Sequence, residues 1–201
     1  MSEIPETEFA YNRKSPALIV VDDFYRYPDK ILQLAKEAEY MKDDRYFKGH
    51  RTKENFLFPY VKEEFERLLQ MEITDWMQQP ANGVFQQTTA ADPLVWHSDQ
   101  QDYAAAVYLT DNDRTGAGTS FWKHTDHLCR RPSASPAVNE ILYSDYNLTH
   151  PDNWELVDKV GSVFNRLVIW DAKLIHSASG YGGFGIHDPR IVQLFFFSVK
   201  R

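Results

Sequence analysis

The stretches VWHSDQQDYAAAVYLT (residues 95–110) and LVIWDAKLIHSASGYGGFGIHDPRIVQLFFF (residues 167–197) decide how the rest of the chain is read. Both consist of short apolar runs stopped by Asp, Ser or Gly, the texture of successive β-strands in a sandwich or barrel. His97 and Asp99 stand two apart, and residues two apart on a strand project to the same face. Both therefore reach one metal ion. Further strands follow before His176, enough to carry the chain around a barrel and return a third ligand from the opposite side. Two imidazoles and one carboxylate make a facial set that grips Fe(II) on one side and leaves its remaining positions open.

A His-x-Asp pair is weak evidence by itself, and this chain has three: His97/Asp99, His124/Asp126 and His150/Asp152. Context separates them. The first pair ends an apolar run and has strands ahead of it. The second has most of those strands behind it, and its His124-x-x-His127 spacing lacks sustained helical patterning. His150 precedes Pro151 and reads as a loop at a helix start. The bland alternative for the first pair is a core histidine beside a turn-capping aspartate.

Arg190 opens the run RIVQLFFFSV, which reads as a buried strand. A cation facing the interior needs a partner. A ligand carboxylate is one, because guanidinium meets it with two parallel hydrogen bonds. The competing partners within the protein are Asp171 and Asp188.

Working outward, residues 1–16 read as a loosely attached arm. PALIVVDDF predicts a strand, and Pro28 opens a helix with Ile31, Leu34, Ala35 and Ala38 at helical spacing. A second helix is predicted near 60–72, on Val61, Phe65, Leu68 and Leu69, with an irregular linker between the two. Strands are predicted near 83–89, 94–98, 103–110, 118–123, 162–170, 173–178 and 190–199. Residues 123–160 interrupt that series and read as an insertion over the mouth of the barrel, with a short helix near 152–159. Length and apolar content favour a single domain over 1–201, with strand and supporting helices in 17–80 and the β core in 83–199.

The net charge of −7 argues against a nucleic-acid partner, which would need a basic excess. The lone Cys129 makes an internal disulfide impossible and excludes a cysteine-based zinc site. The N-terminus lacks a signal-peptide core, and no apolar run approaches a membrane span, so a cytoplasmic location is expected.

Taken together, residues 83–199 resemble the iron(II)/2-oxoglutarate-dependent dioxygenases, nearest to the prolyl-4-hydroxylase-like branch. The resemblance rests on His97-Ser98-Asp99, on AAAVYLT with Tyr108, on GAGTSFW, on FNRLVIWDA, and on His176 and Arg190. It implies a mainly β (α+β) fold, a double-stranded β-helix or jelly roll with N-terminal helices packed on one side. It implies Fe(II) held by His97, Asp99 and His176, and 2-oxoglutarate as co-substrate, with its tail on Arg190 and on the Tyr108 phenol. The implied activity is hydroxylation of an unactivated C–H bond with O2, releasing succinate and CO2, on a small molecule, amino acid or peptide side chain. The alternatives are a non-catalytic jelly-roll module that binds metal or a partner, and a nucleobase or alkyl demethylase of the same superfamily. Trp96, Trp122, Trp170, Arg166, Tyr181, Phe184 and the loop at Gly49–Arg51 are the candidates for lining the substrate pocket.

Overall fold

The computed structural model describes residues 15–43, 48–110, 115–181 and 184–200. Most of the expected N-terminal arm lies outside them. The strands form two antiparallel sheets. The larger has the order β1-β8-β5-β10-β4-β3-β2 and the smaller β7-β6-β9. The strands of the larger sheet are β1 (Leu18–Val21), β2 (Tyr40–Met41), β3 (His50–Thr52), β4 (Phe85–Thr88), β5 (Tyr103–Tyr108), β8 (Leu167–Asp171) and β10 (Arg190–Phe197). The smaller sheet is built from β6 (Thr119–His124), β7 (Trp154–Val160) and β9 (His176–Ala178). After β4 and β5 in the larger sheet the chain runs through β6 and β7 in the smaller. It then passes through β8, β9 and β10 in larger, smaller and larger, so residues distant in sequence meet between the sheets.

Side-chain alternation along the strands builds two cores. Tyr103, Ala105, Val107, Leu167, Ile169, Ile191, Phe195 and Phe197 share one apolar cluster with Leu32, Ala35, Val61, Phe65 and Leu69. Those last five belong to helices α1 (Pro28–Glu37) and α2 (Val61–Leu69), which start and end near the expected places. Ala104, Ala106, Tyr108, Val168, Trp170 and Val192 point the other way, towards Phe121 of the smaller sheet. Alanine on that inner face matters, since small side chains leave open space where larger ones would fill the interior.

Two expectations need correction. The linker between the helices, read as irregular, contains β3, which pairs through Arg51 with Gln86 of β4. Residues 152–159 are not helical: a 3-10 turn at Pro151–Asn153 leads into strand β7, paired with β6. The polar character of WELVDKV misleads because most of this strand's side chains face solvent. The helices of the region lie earlier, at α3 (Pro136–Leu142) and α4 (Asp145–Thr149). Among the described residues, no helix is long and apolar enough to cross a membrane.

Candidate active site

After β4 the chain crosses towards the smaller sheet, and backbone bonds pin it there. Trp96 donates its N–H to the Leu148 carbonyl at 3.0 Å, and Asp99 donates to Ala172 at 2.8 Å. Between them, His97 and His176 exchange N–H···O bonds of 3.0 and 2.8 Å. The strand expected at 94–98 is thus reduced to a single antiparallel bridge. Its consequence survives, because the two imidazoles stand opposite each other with ring centroids 4.4 Å apart.

The ligand atoms of His97, Asp99 and His176 all lie within 4.8 Å of one another. The Nε2 atoms of His97 and His176 stand 3.7 and 3.4 Å from the Asp99 carboxylate. Each histidine turns Nδ1 onto the backbone carbonyl two residues earlier, Val95 at 3.1 Å and Leu174 at 2.8 Å. A carbonyl only accepts, so Nδ1 carries the proton and Nε2 presents its lone pair. Asp99 Oδ2 is buried and receives no hydrogen bond among the described residues. Three lone-pair donors therefore converge with nothing positive between them, an arrangement that is costly when buried and that a divalent cation relieves. The residues fit a metal.

The electrostatics agree. Much of the His97 side chain faces the cavity and is open to water, while protein encloses it on other sides. That enclosure and the repulsion of His176 hold its pKa below the usual imidazole value, against the pull of Asp99. Burial pushes the Asp99 carboxyl up, but His176, His97 and Arg51 together outweigh it, so the group lies below its usual value. A His97 imidazole biased towards its neutral form beside an Asp99 biased towards its carboxylate suits metal binding.

The triad opens into a cavity of about 360 Å³ between the sheets. Ala106, Val192, Leu194 and Phe196 form one wall, and Lys48, Arg51 and Arg190 supply positive charge. Trp170 lines it as well. Its ring meets His176 edge-on at 5.1 Å, and its buried indole N–H has no acceptor among the described residues.

Arg190 is 5% exposed and donates from Nε to the Ala117 carbonyl at 2.7 Å. Neither expected competitor neutralises it: among the described residues no carboxylate lies within ion-pair distance of Arg190, and Asp171 pairs with Arg131. Its guanidinium carbon stands 5.5 Å from the Tyr108 ring and 5.8 Å from the Tyr181 ring. The remaining guanidinium nitrogens are left for the cavity. Tyr108 does not line the cavity. Its hydroxyl shares a 2.8 Å hydrogen bond with Thr119 Oγ1, and Thr119 is the residue that reaches the cavity wall.

The other candidates fall elsewhere. His124 is buried, accepts the backbone N–H groups of Asp126 and His127 on Nδ1, and packs against Trp154. His150 is exposed and stacks on Tyr146. Arg166 grips Asp22 with two hydrogen bonds, of 2.6 and 3.0 Å, and so fastens β1 to the start of β8. Trp96 belongs with Leu142, Trp154 and Ile175 to a separate apolar cluster, against which Trp122 packs. Phe184 is buried outside the cavity wall. No residue of 123–160 lines the cavity. That segment packs behind the triad, where Tyr143 shares a 2.7 Å hydrogen bond with Ser98.

Lys48 and Gln86 line the site and carried no signal of their own in the sequence, and Thr119 was visible only as part of GAGTSFW. Gly49 is the trace that remains. It has φ +71, and a Cβ there would fall 2.2 Å from the Gln87 carbonyl oxygen. Only glycine permits this approach of β3 to β4, and the approach is what brings Lys48 and Arg51 to the cavity.

Solved structures share this fold. HygX from Streptomyces hygroscopicus, with nickel, 2-oxoglutarate and hygromycin B bound, superposes with a TM-score of 0.57 at 11% identity, covering 92% of this chain and 83% of HygX. The same protein with nickel and 2-oxoglutarate bound gives a TM-score of 0.51 at 13% identity, with 92% and 83% coverage. No curated protein matches the sequence. Residues 6–180 match the sequence profile of a family described only as a family of unknown function, DUF6445, and the chain belongs to that family.

Proposed function

We propose that this protein is a non-haem Fe(II)/2-oxoglutarate-dependent oxygenase that hydroxylates a C–H bond of a small molecule or an accessible side chain. The observation that carries the reading is the convergence of His97, Asp99 and His176 within 4.8 Å at a cavity that also holds the buried, unneutralised Arg190. The repeated passage of the chain between two antiparallel sheets, at β6, β8, β9 and β10, fits a double-stranded β-helix. The motif order along the chain follows the prolyl-4-hydroxylase-like branch. HygX supports the reading as a protein of the same fold that holds nickel and 2-oxoglutarate.

His97 Nε2, His176 Nε2 and Asp99 would hold the iron. Bound with 2-oxoglutarate and O2, it supplies the oxidising chemistry that places one oxygen atom in a C–H bond and converts the co-substrate to succinate and CO2. The chain does the positioning. Arg190 receives the distal carboxylate of 2-oxoglutarate with a two-pronged contact, held in aim by the Ala117 carbonyl and by the Tyr108 and Tyr181 rings. Tyr108 acts through Thr119, which it orients towards the cavity. The Val95 and Leu174 carbonyls hold each ring through Nδ1 and so turn Nε2 towards the metal position. The apolar wall of Ala106, Val192 and Leu194 limits water around the reacting groups.

Succinate release on adding Fe(II), 2-oxoglutarate and O2 tests the proposal, with His176→Ala as control. Uncoupled turnover without substrate suffices. Metal and 2-oxoglutarate binding without any succinate would make the protein a binding module instead.

A further inference from the structure

We infer that the Tyr181 hydroxyl donates to the distal carboxylate of 2-oxoglutarate on Arg190, the part that the family resemblance assigns to Tyr108. The inference rests on the oxygenase reading and adds a co-substrate contact to it.

The hydroxyls that line the cavity belong to Thr119, Ser177 and Tyr181. Two of them are engaged. Thr119 shares its hydrogen bond with Tyr108. Ser177 donates to the Ala178 carbonyl at 2.8 Å and accepts the Trp122 indole N–H at 2.9 Å. The Tyr181 hydroxyl meets no hydrogen-bond partner among the described residues, although the residue is half-buried. Burial, helped by Asp92, holds this phenol above its usual pKa against the opposite pull of Arg190 and Arg51. At neutral pH it therefore keeps its proton and is a donor.

An acceptor belongs beside it. A carboxylate offers about four lone-pair positions on its two oxygens. The two-pronged contact with Arg190 fills two of them, and in an enclosed site each position left empty is costly. A phenol next to the guanidinium fills another. The Tyr181 ring stands there, 5.8 Å from the Arg190 guanidinium carbon. Tyr108 is as close, at 5.5 Å, but it is fully buried and its hydroxyl is spent on Thr119.

The backbone builds this placement. Consecutive carbonyls hold both partners: Ala117 accepts Arg190 Nε at 2.7 Å, and Gly118 accepts the Ser179 N–H at 2.9 Å. On its other side, the Tyr181 carbonyl accepts the Phe184 N–H at 3.2 Å. Phe184 is buried, and its own carbonyl accepts the Ala90 N–H at 2.9 Å. Tyr181 is thus tied both to the turn that aims Arg190 and to the chain that leaves β4. It also lies between the metal ligand His176 and Arg190 in sequence, so one stretch of chain carries all three groups.

Calorimetry on the full chain loaded with Ni(II) tests this, with 2-oxoglutarate and 2-oxopentanoate as probes. The second keeps the chelating 2-oxoacid and the chain length but lacks the distal carboxylate. Tyr181→Phe retains the ring beside Arg190 and removes only the hydroxyl. It should weaken 2-oxoglutarate roughly 10-fold, the low end for a hydrogen bond to a charged group. Tyr108→Phe should weaken it less. Ni(II) affinity, melting temperature and 2-oxopentanoate affinity of Tyr181→Phe should stay at wild-type values. The proposal is overturned if Tyr181→Phe binds 2-oxoglutarate as wild type does, or if Tyr108→Phe costs as much. Equal weakening of both probes by Tyr181→Phe would overturn it too, since a displaced ring and not a lost hydroxyl would then be at work. Wild-type protein that takes up neither Ni(II) nor 2-oxoglutarate would sink the oxygenase reading itself, a failure visible before any variant is made.

Discussion

His97 and His176 are joined through their backbones before any metal is considered. Each donates its N–H to the other's carbonyl, at 3.0 and 2.8 Å, in a bridge that belongs to no longer strand pair. The fold thereby fixes the separation of two imidazoles that are far apart in sequence. Asp99 is set by its own bond to Ala172 and by Lys173, whose ammonium donates to the Asp99 carbonyl. This preorganisation means that metal binding need not order the site, so its cost in conformational entropy is small.

Replacing His97, Asp99 or His176 with Ala should therefore weaken Fe(II) or Ni(II) binding by at least the roughly 100-fold that loss of an outer-shell partner can cost. Succinate release should disappear. His150→Ala should change neither quantity. His124→Ala should lower the melting temperature, since a buried ring packed on Trp154 is lost, but the refolded protein should keep its metal. Metal lost with His124→Ala and kept with His97→Ala would mean the wrong pair has been assigned.

Arg190→Ala should raise the 2-oxoglutarate requirement roughly 10- to 100-fold, the worth of hydrogen bonds to a charged group. Metal affinity should stay unchanged, because no atom of Arg190 belongs to the triad. Arg190→Lys should recover only part, since an ammonium cannot reproduce the fork. Tyr108→Phe should have a smaller effect, because its hydroxyl meets Thr119 and not the cavity. Titration of each variant with 2-oxoglutarate under saturating Fe(II) reads all three.

Arg166 and Asp22 form a clamp with a defined pH signature. The hydrogen bonds and charge of Arg166 hold the Asp22 carboxyl below the usual range, against a small opposing effect of burial. A carboxylate pKa lowered on folding contributes stability above its unfolded value, about 3.9, and loses it as pH falls through the folded one. Arg166→Ala should therefore cost up to about 1 kcal/mol at neutral pH, the scale of exposed pairs. The difference from wild type should shrink in acid below that range. Denaturant melts at neutral and acidic pH check it, and 2-oxoglutarate affinity should not move.

Much of the site was legible because its ligands sit where strand periodicity is strong. His97 and Asp99 end an apolar run, and Arg190 opens one. The helices α1 and α2 were legible from Pro28 and from apolar spacing. What escaped was set by tertiary contact. The strand β3 is only HRT, too short and polar to announce itself, and pairing with β4 alone makes it a strand. The strand β7 reads as polar because its outward side chains are solvated, and its membership in the sheet comes from β6. Arg51 was visible only as part of a glycine loop, since nothing local shows that Gly49 lets one backbone close on another.

The segment 123–160, expected over the mouth of the barrel, gives the last prediction. None of its described residues lines the cavity, and Tyr143 bonds to Ser98 between two of the triad residues. Arg130 accepts the Ile175 N–H on its carbonyl at 2.8 Å, next to His176, and the Leu148 carbonyl accepts the Trp96 N–H at 3.0 Å, next to His97. Leu142 is fully buried with Trp96, Trp154 and Ile175. Leu142→Ala should cost about 2–5 kcal/mol of stability through the cavity it leaves. Deleting 130–140 should then lower substrate-free succinate release and coupled hydroxylation together, with metal affinity falling in parallel. A deletion that spared metal affinity and uncoupled turnover but changed product formation would restore the segment to the substrate's side of the site.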